Sequence, residues 1–147
     1  MNLDRYDYTP NEEFTNYEFY SDGPNGRIKK MVTFTVAQQR PALIYNLAFG
    51  DVDGEGFIDD SVNTNNNDRD KVLATVANSI RDFCDRHGNH LIYAEGSNAA
   101  RTRLYQMSIS RHFDEISESF EIKGLTNSGW EPFKRNQNYD AFLVNGK

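Results

Sequence analysis

Seven polar side chains fall within one short stretch: Glu95, Ser97, Asn98, Arg101, Arg103, Tyr105 and Arg111. Arg101 and Tyr105 are four residues apart and share a face if that stretch is helical. Arg101 would then lie in the first helical turn, beside backbone N–H groups that no helical carbonyl can satisfy. Such a place holds a phosphate or a carboxylate, and the Tyr105 phenol can donate a proton. The chemistry on offer is the binding of a small anion by Ser97, Asn98 and Arg101, with Tyr105 as a general acid. A plainer reading stays open, in which Tyr105 is a core aromatic with its hydroxyl at the surface and the arginines are a solvated or ion-paired face.

Two other sets of residues invite a metal. DVDGEGFIDDSV, from Asp51 to Val62, has acids at its first, third, fifth and ninth places, glycine at the sixth and isoleucine at the eighth, as an EF-hand calcium loop does. Its twelfth place should be a bidentate glutamate and is Val62, and the preceding ALIYNLAF has the pattern of a strand where an EF-hand needs a helix. The stretch reads as an acidic hairpin turn. His87, His90 and His112 have no cysteine or carboxylate at zinc-site spacing. The chain has neither G-x-G-x-x-G nor G-x-x-x-x-G-K-[ST], so it lacks the dinucleotide and nucleoside-triphosphate loops of those types.

The elements that must position the first set are a helix, a strand, a tight turn and a second helix. Val72, Leu73, Val76, Ala77, Ile80, Phe83 and Cys84 recur at spacings of three and four, which predicts a helix over Asp70–His87. Asn67 or Asp68 is placed to cap it, and Gly88 to stop it. His90–Ala94 follows as a strand, and Glu95, Gly96 and Ser97 turn the chain at a notch. A second helix is expected from Ala99 to Ile116, capped by Ser97 or Asn98, with Leu104, Tyr105, Ile109, Phe113 and Ile116 turned to the core. Upstream, SDGPNG (21–26) is a strong turn between strands over 14–20 and 27–36, which makes a hairpin. Further strands are expected over 42–49, 57–62, 120–125, 130–133 and 139–144, and residues 1–13 as a loose arm. The order predicts an α+β fold, a single domain over 1–147 built on one mixed, mostly antiparallel sheet with two main helices.

Composition narrows the partners. The chain has 147 residues, enough for one domain with a real core, and its 37% hydrophobic and 26% charged residues mark it as globular. The net charge of −6 speaks against sequence-independent binding to nucleic acid. Through residue 97 there are nine Lys and Arg against sixteen Asp and Glu; beyond it, seven against six. The basic groups around Arg101 thus stand out from an acidic background, which favours a small anionic ligand over a long polyanion. No apolar run is long enough for a membrane helix, and the polar N-terminus lacks the layout of a signal peptide. A single cysteine, Cys84, fits a reducing compartment and a cytoplasmic address.

The run from Val72 to Phe113 resembles the C-terminal half of the GNAT acetyltransferase superfamily. The likeness rests on an amphipathic helix, a strand, Asn98 heading the next helix, small Ala99 and Ala100, the pair Leu104–Tyr105, and a later Phe113. With the closing strands it extends from Val72 to Val144. The resemblance implies acyl transfer from acetyl-CoA to an amine, with Tyr105 protonating the departing thiolate and Asn98 near the pantetheine arm. The chain departs from the superfamily where a glycine-rich pyrophosphate loop belongs, since it has NTNNNDRD there, and where early helices belong, since it has a hairpin. The chain is also similar to uncharacterised bacterial proteins of its size. Two functions follow as expectations: a divergent acetyl-CoA-dependent N-acyltransferase-like protein, or a non-catalytic protein-interaction module, for example one associated with defence or toxin–antitoxin systems. The 13% of aromatic residues could supply anchors for a protein partner.

Overall fold

The computed structural model describes residues 4–59 and 65–147. Among them run β1 (Thr9–Pro10), β2 (Asn16–Gly23), β3 (Gly26–Gln38), β4 (Ile44–Asp51), α1 (Arg69–His87), β5 (Leu91–Ala94), α2 (Ala99–Arg111), α3 (Phe113–Ser119), β6 (Phe120–Thr126), β7 (Gly129–Pro132) and β8 (Phe142–Gly146). The strands form one mixed sheet in the order β1-β2-β3-β4-β5-β8-β6-β7. β4 and β5 pair parallel; β1–β2, β2–β3, β5–β8, β6–β8 and β6–β7 pair antiparallel. This is the α+β class the element order predicts. The chain divides into two compact units, residues 1–35 with 48–88 and residues 36–47 with 89–147.

The first unit is the β2–β3 hairpin with α1. Gly23 faces Gly26 across a loop of only Pro24 and Asn25, so the turn signal is used to the full. Alternation along the two strands puts Tyr17, Phe19, Val32 and Phe34 inside. α1 offers Ala74, Ala77, Ile80 and Phe83 from its apolar face, and the Phe83 ring stacks on Phe34 at 4.2 Å. Gly88 ends α1 at φ 103° and ψ 160°, an extended positive-φ backbone open to glycine, and its N–H bonds the carbonyl of Cys84.

Two expectations change here. Asp68 stands at the N-cap of α1 but makes no side-chain cap. Its Oδ2 accepts the hydroxyls of Tyr6 and Ser21 instead. The described part of the N-terminal arm is tied down rather than loose. β1 pairs with β2, the Tyr6 N–H donates to Thr75 Oγ1 at 2.9 Å, and Tyr6 is buried.

The second unit carries β5, β6, β7 and β8 with α2 and α3. The expected helix over 99–116 is two helices, because His112 leaves helical geometry at φ −112° and ψ 20°. Among the described residues there are therefore three helices, the two main ones expected and the short α3. The last strand starts at Phe142 instead of Tyr139. Tyr139 is needed elsewhere: its ring fills the space over Gly124, where a Cβ would come within 2.3 Å of it, and its hydroxyl donates to Glu131 at 2.9 Å. Trp130 lies on β7 at the sheet's edge, and Pro132 ends that strand, as an edge position permits.

Candidate functional site

The turn between β5 and α2 assembles Ser97, Asn98 and Arg101 as the spacing predicts, but turns them on one another. Asn98 has an extended backbone and its Oδ1 accepts the N–H of Arg101 at 2.9 Å, the expected cap. Arg101 Nη1 donates to Ser97 Oγ at 2.6 Å. The Gly96 N–H donates to Thr102 Oγ1 at 2.9 Å. Gly96 is held so close to α2 that a Cβ there would lie 2.5 Å from the Thr102 nitrogen. The expected notch is therefore filled on the Gly96 side by the first turn of α2 itself. Tyr105 stands half-buried one turn further along the same helix.

The burial pattern of α2 departs most from expectation. Leu104 was expected in the core and is 39% exposed, and Met107 is 47% exposed. Thr102, Gln106, Ser108 and Ile109 are buried in their place. Thr102 and Gln106 face inward because they have partners there. Thr102 serves Gly96 and Asn98; Gln106 Oε1 accepts the Tyr139 N–H at 3.1 Å, and its amide donates to the Gln137 carbonyl. Gln106 thus fastens the 137–139 segment to the helix. An apolar period alone does not register Thr102 and Gln106; the helical spacing they share with Ile109 is the signal that marks them. The outward face, Ala100, Arg103, Leu104, Met107 and Arg111, is exposed at every position. Arg103 Nη1 reaches Asn138 Oδ1 at 2.8 Å.

The other candidates resolve into structural roles. In its described part DVDGEGFIDDSV is a hairpin turn: Val52 bridges Ile58, and Asp53 Oδ1 accepts the amides of Glu55 and Phe57. Asp51 is buried against Lys30 Nζ at 2.7 Å. Asp60, Ser61 and Val62, and so the end of the expected 57–62 strand, lie outside the described residues. His87 Nε2 bonds the carbonyls of Glu13 and Phe14. Among the described residues no group of three or more His, Cys, Asp or Glu side chains is placed to hold a metal ion. No described helix is long and apolar enough to cross a membrane.

Several phenols are held above the ordinary tyrosine value. Burial is the main cause for Tyr6, Tyr8, Tyr17, Tyr93 and Tyr139; carboxylates add to it, Asp68 at Tyr6, Asp82 at Tyr8 and Tyr17, Glu95 at Tyr93 and Glu131 at Tyr139. A raised folded-state pKa means that the folded protein keeps protons the unfolded chain releases. Stability from these groups is fully present below the unfolded phenol value of about 10 and falls as pH rises through and above it. In an absorbance titration at 295 nm these five of the eight tyrosines should therefore ionise together with the loss of near-ultraviolet circular dichroism. Ionisation of all eight while the fold persists would refute this.

An α+β protein with one mixed sheet, a closed β5–α2 turn and an inverted α2 is the class these observations define. Over residues 2–147 the chain matches a family of unknown function, DUF6934, and it belongs to that family. No curated protein and no solved structure matches it.

Proposed function

We propose that this protein is a non-catalytic protein-interaction module that presents the outward face of α2 to a partner protein. The inversion of α2 carries the reading. Isolated exposed apolar residues are ordinary on any surface. A helix that buries threonine, glutamine and serine while holding leucine and methionine outward is not, because exchanging the two sets would bury more apolar area. The single half-buried Cys84 suits a reducing, cytoplasmic setting. The acyltransferase reading draws on the GNAT resemblance and on Tyr105 lying one turn from Arg101. Against it, Asn98 Oδ1 and Ser97 Oγ, on two of the three residues expected to bind an anion, are engaged with the third, Arg101.

Photo-crosslinking separates the two. Benzoylphenylalanine placed at Leu104 or Met107, in the full chain in its native cells, should yield a discrete heavier adduct; the same group at exposed Glu121 should not. No adduct from either α2 position overturns the reading. So does thermal stabilisation by acetyl-CoA, which at about 100 times its Kd would contribute about 2.7 kcal/mol.

A further inference from the structure

We infer that the N-terminal arm is a strap that holds the outer edge of β2 shut. Lifting it opens that edge to a second copy of the chain. Every residue involved belongs to the first unit.

In an antiparallel strand, alternate peptide groups point to opposite neighbours. The Thr15 carbonyl accepts the Phe34 N–H from β3, so Tyr17, Phe19 and Ser21 also bond inward. Asn16, Glu18, Tyr20 and Asp22 therefore point outward. The Asn16 N–H donates to Asn11 Oδ1, and its carbonyl accepts the Asn11 N–H. Glu18 pairs with Thr9 on β1. Beyond Thr9 the arm leaves the ladder and a side chain takes over. The Tyr6 hydroxyl accepts the Asp22 N–H at 3.1 Å and lies 3.2 Å from the Asp22 carbonyl. It donates its own proton to Asp68 Oδ2 at 2.6 Å. A phenol thus stands where the backbone of a further strand would stand.

The strap is held mainly by polar groups from one face of α1, where Lys71, Thr75 and Asn78 are four and three apart. Lys71 pairs with Asp4 at 3.5 Å and sits over the Tyr6 ring at 4.3 Å. Thr75 Oγ1 accepts the Tyr6 N–H, and the Asn78 carbonyl accepts the Tyr8 hydroxyl. The Tyr6 ring also stacks on Phe19. These contacts break without parting Phe34 from Phe83, so the arm opens as a separate unit. The edge it uncovers runs the 8 residues of β2, and a bare edge of that length pairs with another strand. A second copy fits it. Antiparallel pairing about Phe19 sets Glu18 of one copy against Tyr20 of the other, and Asn16 against Asp22. No carboxylate then directly faces another. The charge of −6 on each copy opposes the approach, so the test is run in about 0.5 M salt.

Hydrogen exchange, followed by NMR on the full chain, reads the strap directly. Tyr6→Phe keeps the ring and removes the hydroxyl. The Asp22 amide should then exchange about tenfold faster, the effect of one hydrogen bond, while the Tyr17, Phe19 and Ser21 amides keep their protection. Tyr6→Ala with Tyr8→Ala removes the strap's anchors. Sedimentation of that double variant should show a dimer that grows with concentration, where the wild type stays monomeric. Adding Tyr20→Pro, which deletes an outward N–H at a position an edge strand tolerates, should return the monomer. An Asp22 amide still protected in Tyr6→Phe, or inward amides that weaken equally with it, overturns the strap. Loss of the inward amides in the double variant overturns it too, since the arm would then be part of the core. A double variant that keeps those amides and stays monomeric, or a dimer that survives Tyr20→Pro, overturns the pairing of β2 with a second copy.

Discussion

Lys30→Met should destabilise the protein by about 3–5 kcal/mol, because it leaves the Asp51 carboxylate buried without its ammonium partner. Lys30 is 2% exposed and Asp51 6%, and Nζ lies 2.7 Å from Oδ1. Both charges have left water, so the Coulomb attraction has been largely spent on offsetting their desolvation. The pair is weakly stabilising as a pair and strongly destabilising when halved. The double variant Lys30→Met with Asp51→Leu should therefore recover most of the loss, even though it removes twice as many charges. Urea unfolding of the two single variants and the double variant gives the coupling directly. A double variant as unstable as the combined singles would show that each group acts alone. Either single costing under about 1 kcal/mol would show that water reaches the site.

That pair also marks where the sequence stopped being legible. The hairpin, α1 and the α+β class follow from turn residues and apolar periods, and these signals are local. Lys30 falls on the same alternating face as Val32 and Phe34, yet a lysine in a strand reads as a solvent residue until its partner, twenty-one positions away, is brought to it. The asparagine loop misled in the same way. Asn66 looks like loop filler, but it is buried: its amide donates to the Ser21 and Gly26 carbonyls, and its Oδ1 accepts the Asn25 N–H. Gly23 is required beside it, since a Cβ there would lie 2.2 Å from the Asn66 carbonyl oxygen. At the candidate site, capping chemistry was legible and the helix face was not. Ser97, Asn98 and Arg101 sit within five residues and needed only local rules. Which side of α2 faces inward is decided by Tyr139 and Gln137, more than thirty residues on, whose backbone groups claim Gln106. A count of apolar residues along α2 cannot register that demand.

Phe83→Ala should cost about 3–5 kcal/mol, as a large aromatic truncated in a core that cannot collapse around the void. The ring has no exposed surface; it stacks on Phe34 at 4.2 Å with 13° between planes, and on His87 at 4.5 Å. Both faces are thus occupied by rings held on a strand and on the helix itself, and neither can move into the space. Leu104→Ala, on the outward face of α2, should change stability by no more than about 0.5 kcal/mol, because little surface is buried there to lose. Calorimetry or urea unfolding on the two variants compares them under one condition. If Leu104→Ala matched Phe83→Ala, Leu104 would be core after all and the outward face would have no residues to spare for a partner. If Phe83→Ala unfolds the protein while Leu104→Ala is silent, α1 and α2 divide the labour: one helix spends its apolar residues on the fold, and the other keeps them available for contact.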